Sequence, residues 1–101
     1  MPQFSTPFEG MVAERELTVP ELVRALRFAI ASEYEAVQIY QQLAESIADK
    51  EVQAALISIA NEERVHVGEL FRLVVKLDPE EHKLFMEGIK EVETEFIKKA
   101  D

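Results

Sequence analysis

Three side chains with metal-binding chemistry, Glu33, Glu63 and His66, occupy positions where the surrounding pattern calls for apolar residues. Glu63 and His66 are three residues apart, so on a helix they lie on adjacent turns of one face. Carboxylate and imidazole donors suit iron or manganese better than copper(I) or a structural zinc. The spacing therefore predicts a candidate metal site, to which Glu33 contributes from another part of the chain.

Two apolar patterns with helical periodicity run through these residues and predict the helices that hold them. Alternating steps of four and three from Glu33 visit the mostly apolar set Leu22, Leu26, Ala29, Ala36, Tyr40, Leu43 and Ile47. The same steps from Glu63 visit Val52, Leu56, Ile59, His66, Leu70, Leu73 and Leu77. Such a pattern is typical of the buried stripe of an amphipathic helix. We therefore expect a buried seam along each helix, with the two acids and the imidazole inside it.

A tight turn at Asp49-Lys50 would fold the two helices back on each other as an antiparallel hairpin. In that register Leu22 faces Leu77, and the other apolar positions of the two seams pair with each other except Ala36, which lies opposite Glu63. Glu33 then faces His66 across the hairpin. The register thus predicts that the polar groups converge at one level of an otherwise apolar interface.

Helix start signals set the expected element boundaries. Thr18 and Glu21 form the pattern of a capping box, in which each side chain bonds the backbone of the other residue. Asp78 followed by Pro79 gives a second start, with Asp78 as the cap and proline in the first turn. We expect helices over about 19–48, 51–76 and 79–99.

The chain of 101 residues is short enough for a single domain. Residues 1–17 contain Pro2, Pro7 and Gly10 and show no helical period, which predicts an extended or disordered N-terminal arm. The remaining residues, 18–101, are expected to form one helical domain.

The apolar stripe on the hairpin is too wide for two helices to bury by themselves. Because only one short helix remains, we expect a second copy of the chain to supply the covering pair. The predicted fold is all-α, with an antiparallel two-helix hairpin and a short C-terminal helix, and homodimerisation completes a four-helix bundle. Doubling the chain would place four carboxylates and two imidazoles at one centre, where two divalent cations would offset the buried negative charge.

Composition excludes several functional classes. Twenty acidic residues against eleven basic residues give a net charge of −9, which argues against nucleic acid as a partner. No apolar run approaches the roughly 18 residues needed to span a membrane. The absence of cysteine excludes disulfides, iron–sulfur clusters and a rubredoxin-like module. We expect a cytoplasmic protein with no membrane partner.

The run Glu33-Tyr34-Glu35-Ala36, with Tyr40, Glu62-Glu63 and His66 after it, resembles the rubrerythrin and ferritin-like superfamily, and within it the short, two-helix encapsulated ferritins. The resemblance covers about residues 20–97. It implies a ferroxidase that oxidises Fe²⁺ to Fe³⁺ at a di-iron site shared across a homodimer, for iron storage and detoxification. It further implies a ring of ten subunits, carried as cargo inside an encapsulin nanocompartment.

Carried over residue by residue, the resemblance assigns Glu33, Glu63 and His66 as iron ligands. Tyr40 matches a tyrosine that hydrogen-bonds a ligand carboxylate, and Glu35 matches an acidic position that guides iron or other divalent cations toward the centre. The same four residues, Glu33, Glu63, His66 and Tyr40, are the expected catalytic set.

Two alternatives stay open at the level of sequence. One is a rubrerythrin-like di-iron peroxidase, which would need a separate electron donor because the chain has no cysteines for a rubredoxin centre. The other is a metal-free helical assembly module in which the polar layer only sets the pairing of helices.

Overall fold

The computed structural model describes residue 12 and residues 14–97. They form three α-helices: α1 (Val19–Glu45), α2 (Lys50–Leu77) and α3 (Pro79–Glu95). Helices α1 and α2 pack along each other as a hairpin, and α3 packs against α2. No strand occurs in the described part of the chain. The predicted all-α fold and the order of its helices are confirmed.

Helix α1 begins at the predicted capping box. The Thr18 hydroxyl accepts a hydrogen bond from the Glu21 amide at 3.3 Å, and the Thr18 amide donates to the Glu21 carboxylate at 2.9 Å. The helix ends at Glu45 rather than near residue 48. The Ser46 hydroxyl donates to the carbonyl of Gln42 at 2.7 Å, a local bond that competes with continuation of the helix.

The turn between α1 and α2 lies where the sequence predicts it. Asp49 caps α2 by accepting hydrogen bonds from the amides of Glu51 and Val52, at 3.0 and 3.1 Å. The side-chain amide of Gln53 reaches back across the turn and donates to the carbonyls of Ala44, at 3.1 Å, and Ile47, at 2.5 Å. These bonds satisfy one carbonyl in the last turn of α1 and one in the turn that follows it.

Helix α3 begins at Pro79 as predicted, but Asp78 does not cap it through its side chain. The Asp78 carboxylate instead lies 3.7 Å from Nη2 of Arg27 on α1. The helix ends at Glu95 rather than near residue 99. Residues 98–101 lie outside the described residues, as do 1–11 and 13 of the predicted N-terminal arm, so the arm stays a prediction.

The buried apolar core of the hairpin lies one position beside the predicted seams. Its members are small or β-branched: Val23, Val37, Ala44, Ala60 and Val74. The expectation that the seams themselves are buried is therefore wrong for a single chain. Two packed helices bury only the line directly between them, and the flank carrying the seams has no neighbour within the chain. No polar side chain is buried among the described residues.

We call the exposed large apolar residues of the two predicted seams the outer seam: Leu22, Leu43, Val52, Ile59 and Leu73. Leu43 and Leu73 keep 46% and 48% of their surface accessible. Helix α3 is also largely uncovered, and its apolar residues Leu84, Phe85, Ile89 and Val92 are all exposed. Within the described residues, none of the three helices is both long and apolar enough to span a bilayer.

Candidate metal centre

The structure brings Glu33, Glu63 and His66 together. Nδ1 of His66 lies 3.3 Å from Oε2 of Glu33 and 3.6 Å from Oε2 of Glu63. One potential ligand atom from each residue lies within 4.8 Å of the others. Two carboxylates and an imidazole thus converge at the level of the hairpin where the sequence register predicts them.

Local geometry explains how each side chain arrives there. Glu63 and His66 occupy adjacent turns of α2 and project from one face. Glu33 comes from α1, 33 positions before His66, and reaches the pair only because the Asp49 turn sets the hairpin register. Two long, continuous helices therefore hold the three groups.

The cluster is open to solvent on the side of the outer seam. Side-chain exposure is 28% for Glu33, 19% for Glu63 and 51% for His66. Neither carboxylate pairs with a lysine or arginine among the described residues. Among the residues described, the imidazole of His66 is therefore the only basic side chain beside these two carboxylates.

The donor set fits a hard or borderline divalent cation. It offers carboxylate oxygens and one imidazole nitrogen and no sulfur, which suits iron or manganese. The described residues bring three candidate ligands together on an open face, whereas the di-metal site of a helical carboxylate bundle is built from six residues.

The other predicted site residues lie outside this cluster. Tyr40 is partly buried on α1, two turns beyond Glu33, which corresponds to about 10 Å along the axis. It makes no hydrogen bond among the residues described, so the expected bond to a ligand carboxylate does not form within one chain. Glu35 is partly exposed and does not join the three clustered residues, and Glu62 is exposed.

Sequence reasoning missed a second polar contact between distant parts of the chain. Arg27 on α1 forms ion pairs with Asp78 and with Glu81 in the first turn of α3. Arg27 and Glu81 are 54 positions apart, and no local pattern signals such a pairing. This pairing could be identified only once the direction of α3 relative to α1 was known.

Facing helices that present Glu on one side and Glu-x-x-His on the other define the ferritin-like class of helical carboxylate proteins. The family model for Rubrerythrin matches residues 24–100. The chain belongs to this family, whose members usually bind iron, and the resemblance seen in the sequence is confirmed.

Two relatives are named for encapsulins. Over 79 residues the chain is 38% identical to a ferritin-like-encapsulin shell fusion protein of Pyrococcus furiosus, covering 78% of this chain and 23% of that protein. Over 81 residues it is 33% identical to the encapsulin nanocompartment cargo protein EncC of Myxococcus xanthus, covering 80% of this chain and 61% of the other. The chain thus spans less than two thirds of either relative.

One solved structure matches nearly the whole chain. The crystal structure of the encapsulated ferritin domain from Pyrococcus furiosus is 34% identical and superposes with a TM-score of 0.83. The match covers 90% of this chain and 93% of the other. Because α1 and α2 comprise only 27 and 28 of the 101 residues, the match includes α3 as well.

Proposed function

We propose that this chain is a ferroxidase that oxidises Fe²⁺ to Fe³⁺ at a di-iron site formed by two copies of the chain. The observation that carries the proposal is the convergence of Glu33, Glu63 and His66 at one open level of the hairpin. Surface acids in general do not converge across two helices at the same level as an imidazole. Membership of the rubrerythrin family supports iron as the metal.

A second copy supplies what one hairpin lacks. The outer seam lies on the same side of the hairpin as the cluster and leaves large apolar side chains half exposed. Burying such a stripe against its symmetry mate brings two clusters together and removes both from water. The joint site then holds four carboxylates and two imidazoles, a donor set for two irons per dimer.

The residues divide the work by chemistry. Glu33 and Glu63 hold the substrate Fe²⁺ ions with oxygen donors and offset their charge, and His66 adds a neutral nitrogen donor. The pair of bound ferrous ions supplies two electrons to dioxygen or peroxide. Tyr40 is too far along α1 to bond its own Glu33, so any bond it donates to a ligand carboxylate goes to the other chain. Glu35 lies near the cluster along α1 and attracts incoming divalent cations.

The relatives' names support a role inside a protein shell. One relative is fused to an encapsulin shell and the other is an encapsulin cargo protein. We therefore place this chain as cargo within an encapsulin nanocompartment of the cytoplasm, where ferric product accumulates as stored iron. Dimers associating into a larger ring, such as a decamer, are part of the same proposal.

The experiment that tests the proposal measures iron per chain together with mass in solution. The protein is loaded anaerobically with Fe²⁺ and separated from excess metal. Its mass in solution is measured by light scattering, and its iron content is determined by elemental analysis. We expect about one iron per chain in dimers or larger species, and ferric absorbance on admission of air. Glu63→Ala should abolish binding, while Glu62→Ala, a change of the exposed neighbour, should leave the stoichiometry unchanged.

Each outcome separates the proposed ferroxidase from the alternatives. Peroxide consumption that requires an added reductant, with no accumulation of ferric product, would favour a peroxidase. Full dimer formation without stoichiometric iron would leave the polar layer as a device for helix pairing. Equal loss of iron in Glu62→Ala and Glu63→Ala would contradict the assignment of the ligands.

A further inference from the structure

Helix α3 leaves the hairpin through a junction of one residue. Helix α2 ends at Leu77 and α3 begins at Pro79, so Asp78 alone connects them, with φ −142° and ψ 83°. Proline fixes its own φ and disfavours helical backbone in the residue before it, which explains why the chain bends here. Pro79 does not fix the ψ angle of Asp78, which can vary over a broad range. The junction by itself therefore does not determine the direction of α3.

Little packing holds α3 in its direction. Its residues from His82 onward are all exposed, and the helix packs against α2 but not along α1. One apolar contact is the stack of Phe85 on Phe71 of α2, with ring centroids 4.8 Å apart and planes inclined by 26°. A single aromatic pair contributes roughly 1 kcal/mol of stability beyond that of its buried area. It does not prevent α3 from rotating about the axis of α2.

A second contact ties α3 to α1. Nε and Nη2 of Arg27 donate to the two carboxylate oxygens of Glu81, at 3.3 and 2.8 Å, as a two-pronged bond. Nη2 also lies 3.7 Å from the carboxylate of Asp78 at the junction itself. The planar guanidinium therefore links α1 to both sides of the bend, and the paired bonds impose an orientation as well as a distance.

We infer that Arg27 sets the direction in which α3 leaves the hairpin, through its ion pairs with Asp78 and Glu81. Three points on one guanidinium and one aromatic stack define the position of a helix that otherwise projects into solvent. These ion pairs thereby determine where the apolar face of α3 lies relative to the outer seam.

The test measures the distance between α1 and α3 directly. The chain has no cysteine, so Gln38→Cys and Lys90→Cys, both at exposed positions, introduce two unique sites for nitroxide labels. Labelled chains are mixed with an excess of unlabelled chains, so that pulsed electron paramagnetic resonance measures the distance between the two labels of one chain. The full chain is used, without metal, so the result does not depend on the iron site.

We expect one narrow distance distribution in the parent protein and a distribution at least twice as broad in Arg27→Ala. Arg27→Lys, which keeps the charge but loses the two-pronged bond, should broaden it partially. Arg24→Ala is the matched control, because Arg24 lies one turn earlier on α1, is exposed and has no ion pair among the described residues. It should keep the narrow distribution.

An unchanged narrow distribution in Arg27→Ala overturns the inference, because α3 would then be held by other contacts. Equal broadening in Arg24→Ala overturns it too, since the effect would reflect loss of charge in general. If circular dichroism shows that Arg27→Ala does not fold, Glu81→Gln decides. That variant keeps the size of the side chain but removes the ion pair. A narrow distance distribution in Glu81→Gln would contradict the inference.

Discussion

Nδ1 of His66 on α2 lies 3.3 Å from Oε2 of Glu33 on α1. The contact joins two helices whose register is set at a turn far from it, so the fold itself arranges these candidate metal ligands. Glu63 completes the group, and no lysine or arginine among the described residues offsets its two carboxylates. A preformed cluster with unbalanced negative charge should be strained without metal and relaxed by it.

Glu33→Gln should therefore stabilise the metal-free protein and destabilise the metal-loaded one. At pH 8 the change removes one of two carboxylate charges whose oxygens lie within 4.8 Å of each other. In a high-dielectric setting that repulsion is about 1 kcal/mol, or roughly 5 °C in melting temperature for a domain of this size. Melting in chelator and after anaerobic Fe²⁺ loading measures both effects. A lower melting temperature in chelator would show that Glu33 serves helix pairing rather than metal binding.

Leu73→Glu should separate the dimer without unfolding the hairpin. Leu73 belongs to the outer seam and is 48% exposed within one chain, so a charge is tolerated there until a second copy covers it. It lies two turns from His66, so loss of iron in this variant would come from loss of the partner. Light scattering should give half the dimer mass, and iron binding should fall at least tenfold.

Ile57→Glu is the matched control for that variant. Ile57 lies on α2, is 50% exposed and, 16 positions before Leu73, projects from the opposite side of the helix. Its substitution should change neither mass nor iron content. A dimer that survives Leu73→Glu would show that the outer seam is not the interface.

The sequence predicted the convergence of Glu33, Glu63 and His66 more completely than the apolar core beside it. Capping at Thr18 and Asp49 is local chemistry, and it fixes the helix starts and the hairpin register that brings Glu33 to His66. Apolar periodicity, in contrast, marks the apolar faces of a helix without indicating which of them a single chain buries. It therefore does not distinguish the line between α1 and α2, at Val37 and Ala60, from the outer seam beside it.

The direction of α3 was beyond prediction for a different reason. It depends on a one-residue bend at Asp78 and on an ion pair between Arg27 and Glu81, which are far apart in the chain. An ion pair between residues 54 positions apart leaves no periodic signal in the sequence. Sequence patterns therefore do not indicate which acid Arg27 contacts.

The start of α1 should weaken in acid. Two hydrogen bonds from Arg15, at 2.8 and 2.7 Å, and one from the Thr18 amide lower the pKa of Glu21 from 4.5 to about 2. Because the folded-state pKa is the lower one, these bonds stabilise the helix start fully above pH 4.5, and the stabilisation is lost as the pH falls toward 2. The Glu21 carboxyl carbon, followed by NMR, should titrate near pH 2.

Arg15→Ala should raise the pKa of Glu21 toward its ordinary value, because the largest cause of the lowering is the Arg15 side chain. Amide exchange over the first turn of α1 should then increase at a higher pH than in the parent protein. An unchanged Glu21 titration in Arg15→Ala would mean that the Thr18 amide alone holds the carboxylate.

Gly88→Ala should stabilise α3 locally. Gly88 lies within α3, and a Cβ added there meets no atom within 4 Å, so alanine gains helix propensity of about 1 kcal/mol without a clash. Because α3 is attached to the hairpin by few contacts, the gain should slow amide exchange in α3 several-fold and barely move the global melting temperature. Gly68→Ala, equally unobstructed but within α2, should instead raise the global melting temperature, since α2 is part of the hairpin core. Faster exchange of α3 in Gly88→Ala would contradict the open surroundings of Gly88 and indicate that another chain packs closely against that turn.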